Sequence, residues 1–298
     1  MRKVIVTGAT SYIARSLIDK LIQEKYLVYA IIRPKSSNRS KIPVHSNIKV
    51  IELDMVEIER LSELEIGNVD AIYHFAWEGV RGKARNDSAV QFQNYKMLVK
   101  CIETSINLQI PYFIGIGSQA EYGVTHQVTT ENIPLHPVSE YGKYKVASYN
   151  YGMKEADKIR FIWARVFSAY GKDENPNTLL MQCIDKMRKN ESIDLSPCEH
   201  MWDYTYVDDI AKALFLLMSK KADSGAYNIS YGEAKKLKDF VLQIKNIMKS
   251  ESSLNFGSIP YQNDVILEMN PDVTKLKEET GWRPEIDFET GIERIIKG

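Results

Sequence analysis

The sequence has little of what marks small disulfide-linked or metal-stabilised proteins. Only three of its 298 residues are cysteine (Cys101, Cys183 and Cys198), and no two of them form a Cys-x-x-Cys pair. The five histidines are scattered, and none lies in a His-Glu-x-x-His motif. These absences argue against a disulfide framework, a zinc ribbon and a bound metal. They favour a protein of the reducing cytoplasm.

Long apolar runs and an excess of one charge are also lacking. The longest apolar runs, such as residues 27–32 and 213–218, fall far short of the ~18 residues that a membrane-spanning helix needs. After Met1-Arg2-Lys3 only three apolar residues follow, too few for a secretory signal. Lysine plus arginine number 39 and aspartate plus glutamate number 39, so the formal net charge is zero. Because phosphate binding favours a basic excess, we expect a soluble protein with neither a membrane nor a nucleic-acid partner.

What the chain does contain is an alternation of short apolar runs with longer amphipathic segments. Helices are predicted at 86–107 and 139–156, and after the first strand at the helical spacing of Ile13, Leu17 and Leu21. Strands are predicted at 4–6, 27–32, 48–53, 71–75, 112–116 and 161–166. Short, nearly all-apolar strands joined by helices are typical of a parallel sheet covered on both faces. The pattern therefore predicts an α/β fold with a doubly wound parallel sheet of the Rossmann type.

A glycine turn joins the first predicted strand to the first helix. Its sequence, Thr7-Gly8-Ala9-Thr10-Ser11-Tyr12-Ile13-Ala14, resembles the TGxxGxxG fingerprint of the extended short-chain dehydrogenase/reductases, the family of nucleotide-sugar epimerases, dehydratases and reductases. Ser11 and Ala14 replace two of the three glycines, so the turn alone is also compatible with an ordinary βα connection. Backbone N–H groups and the positive end of a helix dipole bind phosphate at such a turn. The resemblance implies dinucleotide binding by Gly8, Thr10, Ser11, Tyr12 and Ile13.

The regular alternation loosens after residue 171, and the chain length suggests about two domains. We predict a dinucleotide-binding Rossmann domain at 1–171, with 203–222 packing back on it. A smaller C-terminal substrate-binding lobe is predicted at 172–202 and 223–298, with helices at 178–189 and 236–249.

The segment after the second strand indicates which dinucleotide is favoured. NAD-binding members of the family usually carry an acidic residue there, whose carboxylate accepts hydrogen bonds from the adenosine ribose. This chain instead has Arg33, followed by a loop rich in basic and hydroxyl side chains. A guanidinium pairs with phosphate oxygens, so NADP(H) is favoured over NAD, unless the loop is merely a solvated surface. The resemblance also implies cofactor contacts for Asp54, Met55, Phe75, Ala76 and Trp77.

The candidate catalytic residues form a Ser, Tyr and Lys set. Tyr141 and Lys145 are four residues apart, which places both on one face of a helix. A nearby ammonium favours the phenolate, which proton exchange by a tyrosine near neutral pH requires. The segment 117–123, Gly-Ser-Gln-Ala-Glu-Tyr-Gly, resembles the family's S-x-x-x-Y-G and identifies Ser118 as the catalytic hydroxyl. By the same resemblance Lys145 holds the nicotinamide ribose.

Later segments extend the resemblance over essentially the whole chain. Residues 165–171 are similar to the family's R-x-x-N-x-Y-G, with Ser168 in place of Asn. Residues 203–209 are similar to its D-F-x-Y-V-D-D, and 281–284 to its G-W-x-P. We expect Asn177 to cap a helix that begins at Thr178 and whose N–H groups meet the diphosphate of a nucleotide sugar. The predicted substrate-binding residues are Ser118, Gln119, Ser168, Asn177 and Thr178.

The sequence discriminates unevenly among the reactions of the family. Dehydratases carry Asp-Glu after the catalytic hydroxyl, whereas this chain has Gln119 and Ala120, so dehydration is disfavoured. Arg33 favours a reductase that uses NADPH to reduce a nucleotide-linked 4-keto-6-deoxysugar, with Tyr141 as the proton donor. The alternatives are a nucleotide-sugar 4-epimerase with tightly bound NAD and a non-catalytic NADP-binding sensor or scaffold. A homodimer through the helices at 86–107 and 139–156 is possible, as in other family members.

Overall fold

The computed structural model describes residues 2–125, 127–261 and 269–297. Within them the helices are α1 (Tyr12–Gln23), α2 (Ser88–Asn107), α3 (Glu140–Lys154), α4 (Leu179–Arg188), α5 (Val207–Ser219), α6 (Leu237–Met248), α7 (Thr274–Thr280) and α8 (Phe288–Lys297). The strands are β1 (Lys3–Thr7), β2 (Leu27–Ile32), β3 (Ile48–Glu52), β4 (Ala71–His74), β5 (Tyr112–Ser118), β6 (Arg160–Val166), β7 (Ser168–Tyr170), β8 (Ile193–Leu195), β9 (Met201–Trp202), β10 (Tyr204–Tyr206), β11 (Gly225–Ile229), β12 (Lys235–Lys236) and β13 (Leu254–Phe256). None of the described helices is long and apolar enough to cross a bilayer.

The central sheet has seven parallel strands in the order β11-β6-β5-β4-β1-β2-β3. The chain runs outwards from β1 to β3 and then returns to β4 on the other side of β1. This reversal confirms the doubly wound Rossmann fold. In such a sheet a crevice opens at the carboxyl ends of β1 and β4, where the strand order changes direction.

Helices cover both faces of the sheet, which explains why its strands are apolar throughout. Leu17 of α1 and Leu214 of α5 belong to the buried core on one face. Leu98 of α2 packs with Phe113 and Trp163 in the core of the other face. The helix α5 therefore lies against α1 and the sheet.

The structure differs from the expected division of the chain at β11. We assigned 223–298 to the C-terminal lobe, whereas Gly225–Ile229 forms the edge strand of the central sheet beside β6. The polar Asn228 interrupts the apolar pattern by which the other strands were recognised. Its side chain is buried but satisfied, because Nδ2 donates to the carbonyls of Thr129 and Asp272. Apart from this strand, the division into domain and lobe stays a prediction.

Two aspartates of segment 203–209 accept hydrogen bonds from loops that lie later in the chain. The buried carboxylate of Asp203 accepts hydrogen bonds from Ser230 Oγ and from the backbone N–H groups of residues 231–233. The carboxylate of Asp209 accepts from the N–H groups of Glu285 and Ile286. Both carboxylates are thus used in holding the fold together.

The lobe contains α4, α6 and α8, whose apolar faces meet around Ile184, Phe240 and Phe288. The expected cap of α4 is wrong. The helix begins at Leu179, its N-cap is Thr178, and the Thr178 side chain makes no capping hydrogen bond. The backbone N–H of Asn177 instead donates to Asn175 Oδ1 at 2.9 Å, since the chain makes a turn before the helix.

Candidate active site

The glycine turn lies against the end of β4. Gly8 has φ +60°, and a Cβ at this position would lie 2.6 Å from the backbone nitrogen of Ala76. Only glycine combines this backbone conformation with so close an approach. Gly8 and Ala76, both predicted to bind the cofactor, are therefore packed together at the reversal point of the sheet.

The start of α1 is suited to an anion. Ser11 is its N-cap but makes no side-chain cap hydrogen bond, and the first turn of the helix has no acidic residue. Ser11 Oγ and the hydroxyl of Tyr12 are buried without a hydrogen-bond partner among the described residues. An uncompensated helix N-terminus with nearby unpartnered hydroxyl groups fits the diphosphate of a dinucleotide. Of the remaining predicted turn residues, Thr10 precedes the cap and Ile13 packs against the core.

Arg33 lies at the outer end of the crevice, directly after β2. Its Nη1 is 3.9 Å from the carboxylate of Glu78, and both side chains are more than two-thirds exposed, at 73% and 71%. Solvent screening leaves such a contact little energy. Sequence reasoning missed Glu52, the last residue of β3, whose carboxylate pairs with Arg39 and accepts a hydrogen bond from the backbone N–H of Lys35. The loop after β2 therefore brings basic groups to an edge that also holds a carboxylate.

Asp54 and Met55 begin the 3₁₀ helix after β3. Asp54 caps it, because Oδ1 accepts a hydrogen bond from Val56 N at 3.1 Å. Met55 is buried in the core on the α2 face of the sheet. Both residues therefore have structural roles, and their contacts with the cofactor stay a prediction.

Trp77, predicted to line the cofactor channel, lies against the candidate catalytic residues. The centre of its indole ring is 3.5 Å from Lys145 Nζ, and the indole meets the Tyr141 ring edge to face at 6.1 Å. The indole N–H donates to Gln91 Oε1 at 2.8 Å, which fixes the orientation of the ring. Phe75 precedes it and packs against the core on the α1 face.

The structure brings Ser118, Tyr141 and Lys145 together. Ser118 ends β5, and Tyr141 and Lys145 are one helical turn apart on α3. Lys145 Nζ lies 5.6 Å from the centre of the Tyr141 ring and donates to the Ile116 carbonyl at 2.7 Å. The segment after β5 packs closely against α3 at Gly142, where a Cβ would lie only 2.5 Å from the Ala120 carbonyl oxygen. This close packing brings the three side chains together.

Burial shifts the pKa of both titratable members of this set. It raises the pKa of Tyr141 to about 12, an effect opposed by a hydrogen bond with Ser118 and by the charge of Arg85. Burial lowers the pKa of Lys145 to about 7, and the nearby carboxylate of Glu121 acts in the opposite direction. The phenol is thus held protonated, while the amine titrates near neutral pH.

A buried ion pair lies behind Ser118, and sequence reasoning missed it. The side chains of Glu121 and Arg165 are 0% and 1% exposed, and Arg165 Nε donates to Glu121 Oε2 at 2.8 Å. Glu121 Oε1 accepts from the backbone N–H of Ser118 at 2.8 Å and from Trp163 Nε1 at 2.9 Å. The carboxylate is therefore saturated with hydrogen bonds and fixes the backbone of the candidate catalytic serine. The signals in the sequence were the acidic residue within the 117–123 segment and the arginine that begins the 165–171 segment.

The predicted substrate-binding residues separate into two groups. Gln119 follows Ser118 and accepts a hydrogen bond from its hydroxyl at Oε1, at 3.4 Å. Ser168 begins β7, two residues after Val166, which pairs with Ser118 in the central sheet. Asn177 and Thr178 lie at the start of α4 in the lobe. Sequence reasoning missed Trp202 and Thr205, whose Nε1 and Oγ1 are buried without a partner among the described residues. Trp202 packs near Tyr122, which belongs to the 117–123 segment that carries Ser118.

Comparison with known proteins identifies the family of the chain. The model of the NAD dependent epimerase/dehydratase family matches residues 4–230. CDP-abequose synthase of Salmonella muenchen is 25% identical over 303 residues, covering 99% of this chain and 97% of that protein. The UDP-glucose 4-epimerase of Thermotoga maritima, solved with UDP-glucose, is 24% identical, with a TM-score of 0.85 over 99% of this chain and 97% of its own.

A second solved structure, the UDP-glucuronic acid 4-epimerase of Bacillus cereus with UDP-glucuronic acid and NAD, is 20% identical. Its TM-score is 0.85 over 99% of this chain and 98% of its own. The family model spans well over half of the chain and ends at the last strand of the central sheet. The chain belongs to the NAD dependent epimerase/dehydratase family and is an NAD(P)-dependent enzyme of the extended short-chain dehydrogenase/reductase type.

Proposed function

We propose that the protein reduces a nucleotide-linked 4-keto-6-deoxysugar with NADPH. When bound, the reduced dinucleotide supplies the hydride that the keto carbon accepts. Ser118 Oγ orients the carbonyl oxygen by a hydrogen bond, and the Tyr141 hydroxyl donates the proton that converts this oxygen into an alcohol. Lys145, when charged, stabilises the phenolate that is left. The observation that carries the proposal is the convergence of these three side chains.

The surroundings of Ser118 support reduction over dehydration. Eliminating water from a sugar needs an acid and a base, and Gln119 and Ala120 have no carboxyl group to serve as either. The one carboxylate of this segment, Glu121, is saturated by Ser118, Trp163 and Arg165. It therefore has no hydrogen-bonding capacity directed at a substrate.

The preference for NADP(H) rests on Arg33. The contact of its exposed guanidinium with Glu78 is weak, so the guanidinium can turn towards a 2′-phosphate at little cost. Glu52 at the neighbouring strand end would repel that phosphate, but its charge is offset by Arg39. Nucleotide sugars as substrates are supported by the relatives, whose names include a CDP-linked sugar and UDP-linked sugars.

A nucleotide-sugar 4-epimerase that retains NAD is the second candidate. Two observations favour it: the solved relatives include 4-epimerases, several of them with NAD, and Glu52 is a carboxylate near the position of the usual ribose acceptor. Such an enzyme would use the same Tyr141 first as a base and then as an acid.

One experiment separates the two candidates. The purified protein is incubated with NADPH, or in parallel with NADH, and with a panel of CDP-, UDP-, GDP- and dTDP-4-keto-6-deoxysugars. A second set of reactions contains NAD and the corresponding nucleotide-linked 4-hydroxy sugars, on which a 4-epimerase would act. We expect stoichiometric loss of NADPH and appearance of the reduced sugar. Interconversion of sugars without net loss of cofactor would assign the protein as an epimerase, and tight NADP binding with no turnover would favour the sensor or scaffold.

The homodimer also stays a proposal, supported by an aromatic cluster on α2 and α3. Phe92 stacks against Tyr95 and packs at a tilt against Tyr144, yet 45% of its surface is exposed. A self-complementary pair of helices would cover it. Analytical ultracentrifugation of the parent protein should give a dimer, and Phe92→Glu should give a monomer. The cytoplasmic location likewise stays a prediction.

A further inference from the structure

A second cation lies against the ring of Tyr141, in addition to Lys145. The guanidinium carbon of Arg85 is 4.6 Å from the centre of the Tyr141 ring. At this distance a cation is attracted by the electrons of an aromatic face. The attraction grows when the phenol loses its proton, because the ring then carries a full negative charge.

Arg85 is held in this place by a loop that is fastened to α2. Arg85 belongs to the 3₁₀ helix Lys83–Asn86, and its Nη1 donates to the Val80 carbonyl at 2.9 Å. The buried amide of Gln91 donates to the carbonyls of Gly79 and Ala84 at 2.9 and 2.8 Å. These bonds fix both ends of the segment that carries Arg85.

A second buried amide completes the attachment. Asn94 Oδ1 accepts from the backbone N–H of Glu78, and Asn94 Nδ2 donates to the carbonyl of the same residue. Gln91 and Asn94 are both buried, and together they bind the loop on its inner side. The same Gln91 also holds Trp77 against Lys145, so one side chain orients the neighbours of both candidate catalytic groups.

We propose that Arg85 is a positioning residue that stabilises the phenolate of Tyr141 and so makes this tyrosine a stronger acid. The charged and titratable groups around the phenol are Arg85 from the loop after β4, Lys145 from α3 itself, and Glu121 from the segment after β5, with the Ser118 hydroxyl beside them. Arginine stays charged at every working pH, whereas the ammonium of Lys145 is destabilised by burial. Arg85 therefore supplies a constant positive charge where Lys145 supplies a variable one.

The inference rests on Tyr141 as the proton donor of the proposed function, but its test does not need turnover. Tyr141 is replaced site-specifically by 3,5-difluorotyrosine, whose hydroxyl ionises at lower pH than that of tyrosine. The ¹⁹F chemical shift of this single residue is then followed against pH without substrate. In Arg85→Gln we expect the midpoint to rise by about one pH unit, a tenfold change in the ionisation constant.

The matched control is Arg81→Gln, which removes an exposed arginine from the same loop and should leave the midpoint unchanged. Arg85→Lys, which retains the charge with a smaller head group, should give an intermediate midpoint, and circular dichroism checks that each variant is folded. An Arg85→Gln midpoint equal to that of the parent would overturn the proposal. So would a raised KM for the sugar with an unmoved midpoint, which would make Arg85 a substrate-binding residue.

Failure of the proposed function would look different. If no nucleotide sugar is reduced, the ¹⁹F midpoints still report the effect of Arg85 on Tyr141. Where turnover is observed, kcat of Arg85→Gln should fall severalfold with little change in KM.

Discussion

The two ends of the crevice differ in how far their charges are exposed to water. At the outer end, Arg33 and Glu78 are both more than two-thirds exposed and 3.9 Å apart. At the inner end, Glu121 and Arg165 are buried and 2.8 Å apart. Water screens the first pair and cannot reach the second.

This difference in exposure separates two properties of the crevice, the choice of cofactor and the control of proton transfer. Exposed charges interact mainly with a ligand that arrives, so we expect the outer end to select the cofactor. At the inner end, burial shifts the pKa of Tyr141 and Lys145, and the charge of Glu121 adds a smaller contribution to each. We therefore expect the inner end to control proton transfer. Substitutions at the inner end should therefore have larger effects than substitutions at the outer end.

The largest effect is expected from removing the phenol. Tyr141→Phe deletes the hydroxyl that donates the proton and should lower kcat about 10²–10⁴-fold. The dissociation constant of the cofactor, measured by fluorescence titration, should stay nearly the same, because the ring and Lys145 remain. Tyr144→Phe, one turn away and outside the proposed chemistry, is the control. Full activity in Tyr141→Phe would remove this residue from the mechanism.

Breaking the buried ion pair should give the next largest effect. Glu121→Gln leaves Arg165 charged and uncompensated in the core, which should lower the free energy of unfolding by about 3–5 kcal/mol in denaturant titrations. The control is Glu293→Gln in α8, whose partner Lys297 is 74% exposed and whose loss should hardly change stability. Equal losses in the two variants would contradict the contrast between buried and exposed pairs.

The pH dependence of stability should show the burial of Lys145. Its pKa is lowered to about 7 in the folded protein, from 10.5 ordinarily, so between these values the unfolded chain binds more protons. Stability contributed by this group should therefore increase as pH rises from 7, by at most about 1.4 kcal/mol per pH unit, and be absent below pH 7. Lys145→Met should lose this increase in denaturant titrations across that range. Lys143→Met, on the exposed side of α3, should retain it.

Local patterns predicted most of the fold and the centre of the site. Short apolar runs marked β1 to β6, and the i, i+4 spacing was sufficient to place Tyr141 and Lys145 on one face of α3. The β11 strand was missed because Asn228 breaks its apolar pattern. Its amide is satisfied by partners 99 and 44 residues away in the chain, which no local pattern reveals.

The neighbours of the candidate catalytic residues were beyond sequence reasoning for the same reason. Glu121 and Arg165 meet because β5 and β6 are adjacent, 44 residues apart in sequence. Arg85 reaches Tyr141 because the side-chain amides of Gln91 and Asn94, both on α2, fix the loop that carries Arg85. Such contacts depend on how the elements pack, and a single sequence shows only the residue types.

The smallest effect is expected from a substitution at the outer end of the crevice. This substitution tests which dinucleotide the protein prefers. Arg33→Ala removes a guanidinium that would pair with the 2′-phosphate, so KM for NADPH should rise about tenfold, equivalent to about 1.4 kcal/mol. KM for NADH, which lacks that phosphate, should not change. Arg39→Ala is the matched control, because its guanidinium is already paired with Glu52. Raised KM for both cofactors would show that Arg33 supports the shape of the loop, and an unchanged KM for NADPH would show that this exposed arginine does not select the dinucleotide.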